Sequence, residues 1–100
     1  MEKFGELIQG KTPVLVDYFA TWCGPCKMMH PVFEELKKQL GDRIKILKVD
    51  IDAPANRANV AAQGVQAVPT LILFKEGKAV WRQSGALPAH ELRTIIEKYL

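Results

Sequence analysis

Apolar and polar positions divide the chain into eight segments. Phe4, Leu7 and Ile8 recur at helical spacing, so a short amphipathic helix is expected over 2–9, ended by Gly10. Pro13 to Phe19 is apolar on both faces except for Asp17, the pattern of a central strand in a covered sheet. A helix is expected from about Gly24 to Leu40, with Val32, Phe33, Leu36 and Leu40 as its core stripe. Pro31 lies inside it. It removes one backbone bond and clashes with the Lys27 carbonyl, so a kink is expected there. Gly41-Asp42 ends the helix. Ile44 to Asp50 reads as the second strand. Asp52-Ala53-Pro54 looks like a capped helix start, with the helix running to about Gln63 and stopping at Gly64. Val65 to Val68 leads through Pro69 into a third strand, Thr70 to Lys75. Glu76-Gly77 predicts a tight hairpin. Lys78 to Ser84 is then an antiparallel fourth strand, with Lys78 and Arg82 as edge charges. Leu92, Ile95, Ile96 and Tyr99 form the stripe of a final helix from about Pro88. A strand–helix–strand order with such connections implies a parallel crossover. The expected fold is a single α/β domain over 1–100, with a four-stranded mixed sheet and helices on both faces.

Composition narrows the function classes. Of 100 residues, 48% are hydrophobic and 25% charged, ordinary values for a globular domain. The net charge is +3, but the basic residues are scattered among acids, so no nucleic-acid partner is expected. No apolar run approaches the roughly 20 residues of a membrane span, so no membrane partner is expected. The first residues lack the apolar core of a signal peptide, so a cytoplasmic location is expected. There, a lone cysteine pair is more often catalytic or metal-binding than structural.

That pair, Cys23 and Cys26, sits in Trp22-Cys23-Gly24-Pro25-Cys26-Lys27, where the first strand gives way to a helix. Residues three apart on a helix share a face, about 5 Å apart, within the range a disulfide spans. The pair can therefore close and open with little backbone movement. Cys23 stands at the helix start, where unpaired N–H groups favour a thiolate. Cys26, one turn further in, is expected to be more shielded. Cys23 is thus expected to attack and Cys26 to resolve. Pro25 in the first turn loses no needed N–H, and Gly24 keeps the approach to the sulfur open. Asp17, buried in the strand, should have a raised pKa. One reading makes it a proton acceptor for Cys26; another, a carboxylate satisfied by backbone at a strand end.

The six-residue motif, followed by Val68-Pro69-Thr70 before a later strand, resembles the thioredoxin family. Asp17, Pro31, Lys48, Gly77 and Gly85 also fit the family pattern, and the resemblance runs from about Lys11 to Leu100. It implies protein-disulfide reduction by dithiol–disulfide exchange through Cys23 and Cys26, with Asp17 as proton acceptor and Lys48 as its charge partner. It implies a cis Val68–Pro69 bond facing the disulfide, with the Val68 backbone offered to an extended substrate. Trp22, Gly24, Pro25, Val68, Pro69, Gly85 and Ala86 would form a flat apolar docking face. The partners implied are a thioredoxin reductase and disulfide-containing client proteins, with no cofactor beyond the disulfide and a monomeric state. Thioredoxins usually carry an extra edge strand before the first helix; its absence here is expected to leave four strands and an edge open to another chain.

Three other readings stand beside this one. An oxidant or isomerase on the same fold would use the same thiols, although Gly24-Pro25 favours the reductant. A zinc site through Cys23, Cys26 and His30 lacks a fourth nearby ligand, since His90 is distant. A binding subunit of a larger assembly would leave the thiols incidental. Trp81 is expected to pack on the sheet.

Overall fold

The computed structural model describes residues 3–100. Helix α1 (Phe4–Leu7) precedes β1 (Val14–Phe19), which leads to α2 (Gly24–Lys27) and α3 (Met29–Leu40). A 3-10 turn at Gly41–Arg43 opens into β2 (Lys45–Asp50). A second at Pro54–Asn56 precedes α4 (Arg57–Ala62). The hairpin of β3 (Thr70–Lys75) and β4 (Lys78–Ser84) follows, and α5 (Ala89–Glu97) closes the order. The sheet order is β2-β1-β3-β4. β1 runs parallel to β2 and antiparallel to β3, and β3 is antiparallel to β4. This is the expected four-stranded mixed sheet, with β1 central.

Alternation along β1 sends its side chains to two cores. Leu15 packs with Leu71 and Leu73 under α3 and α5, where Met29, Phe33, Leu36, Leu92 and Ile96 are buried. Val14, Val16 and Tyr18 face the other way, under Phe4 and Ile8 from the α1 segment, with Val60 of α4 packed alongside. Helices therefore cover both faces. Burying each large aliphatic side chain contributes about 1.5–3 kcal/mol over leaving it exposed. Phe4 meets Phe74 edge-to-face, with ring centroids 5.5 Å apart. Trp81 packs on the α3–α5 core, as expected.

Several local expectations change. Of the span expected for the first helix, Glu2 lies outside the described residues, and Leu7 points outward at 46% exposure. The long helix is not merely kinked but divided at Met28, which keeps helical angles between α2 and α3. The proline clash falls on the Lys27 carbonyl, so the helix parts one residue after it. Asp52 does not cap α4; the 3-10 turn there starts from Ala53 without a side-chain cap. Arg82 is the exposed edge charge expected on β4, and it has a further role. Its guanidinium donates to the Gln63 and Gly64 carbonyls and so closes the exposed end of α4.

The hairpin is the tight one expected. Glu76 and Gly77 both take positive φ, 52° and 83°. The turn is tied to the α1 segment, Glu76 N–H donating to Gly10 O (3.1 Å) and Gly77 N–H to Ile8 O (2.8 Å). A Cβ on Gly77 would meet only the flexible end of the exposed Gln9 side chain, at 2.9 Å, so glycine is needed there for the angle rather than for space.

Candidate active site

β1 ends at Phe19, and the chain turns so that Cys23 N–H donates to Ala20 O (3.2 Å). Cys23 is the N-cap of α2, in extended conformation, and its Sγ accepts the Cys26 backbone N–H (3.1 Å). In a typical N-cap a side-chain oxygen takes this amide; here a sulfur does. Pro25 occupies the first turn, where it gives up no needed donor. Cys23 and Cys26 form a disulfide with Cα atoms 5.3 Å apart. The expected difference in shielding is absent: each cysteine is 4% exposed. The two sulfurs differ instead in their donors. A thiolate at Cys23 would receive the amide of Cys26 at the positive end of a helix, which favours the charged form.

Leu15, Asp17 and Phe19 alternate onto the face of β1 covered by α3. Asp17 is 2% exposed, and among the described residues its Oδ1 has no hydrogen-bond partner. It is therefore not a carboxylate satisfied by backbone at a strand end. Burial pushes its pKa from 3.8 up to about 6, with the Lys48 charge opposing the rise. Lys48 stands opposite Asp17 in the β1–β2 register, but among the described residues it makes no ion pair with it. The ammonium lies 2.9 Å from His30 Nδ1 and 5.7 Å from the centre of the Phe33 ring. The expected charge partner thus acts at a distance, held by a histidine and an aromatic ring on α3.

The surface about the disulfide is built from separated segments. Ala20, Cys23 and Cys26 form a buried cluster, with Phe19, Ile51 and Val68 packed against it. Val68–Pro69 is cis, and Pro69 O accepts Gly85 N–H (2.8 Å), fixing the two loops to each other. Pro69 is buried rather than open, while Gly24, Pro25 and Ala86 are exposed. Gly85 has φ 97°. Trp22 is 69% exposed and stands beside the cysteine cluster rather than in it; its indole Nε1–H donates to Asp52 Oδ2 (2.8 Å). Met28, at the helix break, is 67% exposed.

Ile51, Asp52 and Met28 escape a reading of the motif because nothing in their own neighbourhood marks them. Only the parallel pairing of β2 with β1 brings 51 and 52 to the end of the sheet where the cysteines lie. Among the described residues no group of three or more His, Cys, Asp and Glu side chains is placed to hold a metal ion, and no helix is long and apolar enough to cross a membrane. The arrangement can accept and release two electrons at one pair of sulfurs, and the strand that leads to them carries a buried carboxylate whose pKa is raised to about 6.

Known proteins share this layout. The family model described as thioredoxin matches residues 1–98. Thioredoxin Y of the rice chloroplast is 45% identical over 97% of this chain and 57% of its own length. Thioredoxin of Bacillus subtilis is 42% identical over 87% of this chain and 82% of its own. Among solved structures, a mutant thioredoxin from Halobacterium salinarum superposes with a TM-score of 0.87 at 36% identity, covering 99% of this chain and 84% of that one. The oxidised mitochondrial thioredoxin 3 of Saccharomyces cerevisiae gives 0.84 at 32%, covering 97% and 88%.

Proposed function

The chain belongs to the thioredoxin family, whose members are disulfide reductases, and on that premise we propose that it reduces client-protein disulfides with Cys23 as nucleophile and Cys26 as resolving thiol. The observation that carries the assignment is the Cys26 amide donating to Cys23 Sγ at the start of α2. That donor stabilises negative charge on Cys23 and on no other sulfur.

In the first step the Cys23 thiolate attacks one sulfur of the client disulfide. A Cys23–client disulfide forms, and the second client sulfur leaves as a thiolate and takes a proton. In the second, Cys26 gives its proton to the Asp17 carboxylate and attacks Cys23 Sγ. The Cys23–Cys26 disulfide forms, the remaining client sulfur leaves, and two electrons have passed to the client. Asp17 suits this step because its pKa of about 6 leaves it ionised at neutral pH yet more basic than an ordinary carboxylate. Lys48 tunes that basicity from beside His30.

The exposed Trp22, Gly24, Pro25 and Ala86, with Val68, Pro69 and Gly85 behind them, form the face that receives the client. The Val68 backbone is its hydrogen-bonding edge, as the family resemblance implies. Thioredoxins are reduced by a thioredoxin reductase, and we assign such an enzyme as the source of electrons here. We place the protein in a reducing compartment, the cytosol, acting as a monomeric thioredoxin domain over 1–100.

Trapping tests the roles. Cys26→Ser should accumulate a stable mixed disulfide with a client such as insulin, and Cys23→Ser should form none. The reverse pattern would overturn the assignment.

A further inference from the structure

Among the described residues, one side of the sheet ends in an unpaired strand. Lys45 N–H donates to Pro13 O (3.0 Å), and at the far end Ile51 N–H donates to Phe19 O (2.9 Å). In a parallel ladder alternate residues face the partner, so Lys45, Leu47, Val49 and Ile51 turn their amides toward β1. Ile46 and Lys48 therefore turn theirs, and their carbonyls, outward. β2 is the end strand of the sheet, and among the described residues no strand lies beyond it. The next outward carbonyl, that of Asp50, is already taken by Asn56 Nδ2 (2.9 Å). The open edge is thus two outward residues long, with four backbone groups.

A groove of about 900 Å³ runs along this edge. It draws walls from both sides of the sheet: Leu7 and Leu47 on the α1 side, Phe33 and Ile46 on the α3 side. That two-sided shape suits an added strand, whose side chains alternate between the two faces. Leu7 is among the few large apolar side chains left exposed. The groove's charge is strongly one-sided: Lys37, Lys38, Lys45 and Lys48 line it against a single acid, Glu34. Lys37 is held in place by the Gly41 and Ile44 carbonyls (3.1 and 2.9 Å).

We propose that the open edge of β2 is a docking slot for an extended segment of another protein in which acidic and apolar residues alternate. Its backbone pairs with Ile46 and Lys48, its apolar side chains fill the groove, and its carboxylates meet the lysines. A second copy of this chain is a poor occupant, because an edge-to-edge contact would set Lys45 and Lys48 against their own counterparts. The slot runs toward Ile51, which packs on the cysteine pair, so a segment held there would lie along the strand that ends at the sulfurs.

The test uses a fluorescein-labelled eight-residue peptide of alternating Glu and Val, titrated with the whole protein and followed by anisotropy. Saturable binding is expected. It should weaken roughly ten-fold or more in the Lys38→Glu/Lys45→Glu variant, since two attractions become repulsions, and also on raising the salt. Insulin reduction by that variant should be unchanged. A Lys–Val peptide of the same length should not bind, and amide exchange at Ile46 and Lys48 should slow when the Glu–Val peptide is present. Absence of binding at millimolar peptide would overturn the proposal, as would affinity indifferent to the charge reversals. An edge already filled, by a second copy seen as a dimer in solution or by a stretch of the same chain, would leave the peptide unbound and have the same consequence.

Discussion

Asp17 and Lys48 face each other across the β1–β2 register, yet the Lys48 ammonium is bonded to His30 Nδ1 and the buried Asp17 Oδ1 has no partner among the described residues. The carboxylate is therefore kept in the interior without the ion pair that would quieten it. Its pKa rises from 3.8 to about 6, chiefly through burial. Between these values the folded protein holds a proton that the unfolded chain has released. Stability accordingly falls as pH rises through about 4 to 6 and is flat above that window. The loss is about 3 kcal/mol at neutral pH, on the usual conversion of a pKa difference to free energy. Asp17→Asn should recover most of that stability at pH 7 and flatten the dependence, as read by denaturant unfolding at pH 4.5 and 7. It should also remove the ionisation near pH 6 from the rate of the resolving step.

The indole of Trp22 is held over the surface by one bond, to Asp52. With Trp22 69% exposed, little packing would keep the ring in place without it. Asp52→Ala should cost less than about 1 kcal/mol of stability, as for other exposed charged contacts. Client reduction should suffer more, with kcat/KM down several-fold and kcat for a small disulfide such as dithiobis(nitrobenzoate) little changed. Equal losses with both substrates would mean that Asp52 acts on the sulfurs and not on the docking face.

Tyr18 is fully buried in β1, and its hydroxyl donates to Asn59 Oδ1 on α4 (2.6 Å). Burial raises its pKa to about 12, with the Arg82 charge opposing. The two ends of this bond are unequal. Asn59→Ala leaves the phenol oxygen unpaired in the interior and should destabilise by about 1–3 kcal/mol. Tyr18→Phe removes the buried polar atom and leaves only the half-buried Asn59, which water can reach, so about 1 kcal/mol or less is expected. Chemical denaturation of the two variants gives the comparison directly.

What could be read along the chain was what depends on neighbours in sequence. Pro31 announced a kink, which the structure deepens into a break, because its clash is with its own fourth predecessor, Lys27. Gly77 announced a hairpin because the turn sets its own φ. The cysteine spacing and the helix start carry the redox pair in the same way. What could not be read depends on strands that meet only after folding. Asp52 looked like a helix cap because acids often precede prolines that begin helices, but it is drawn instead to an indole 30 positions earlier. Arg82 is the edge charge it looked like on β4, but the carbonyls it meets belong to the end of α4, 18 positions earlier, and nothing along the chain marks them. The Lys48–His30 contact required β2 and α3 to be set side by side. Equal burial of the two cysteines also follows from tertiary packing, since Ile51 and Val68 cover a pair that the helix alone would shield unequally.

A pair that gives electrons to protein disulfides, as proposed for Cys23 and Cys26, must have a low reduction potential. Equilibrating the protein in graded dithiothreitol or glutathione buffers and counting free thiols measures the potential of the pair. A two-electron transition near the family value of about −270 mV is predicted. A transition near the oxidant value of about −120 mV would contradict the account and reverse the direction of exchange. So would failure of the two thiols to close into an intramolecular disulfide.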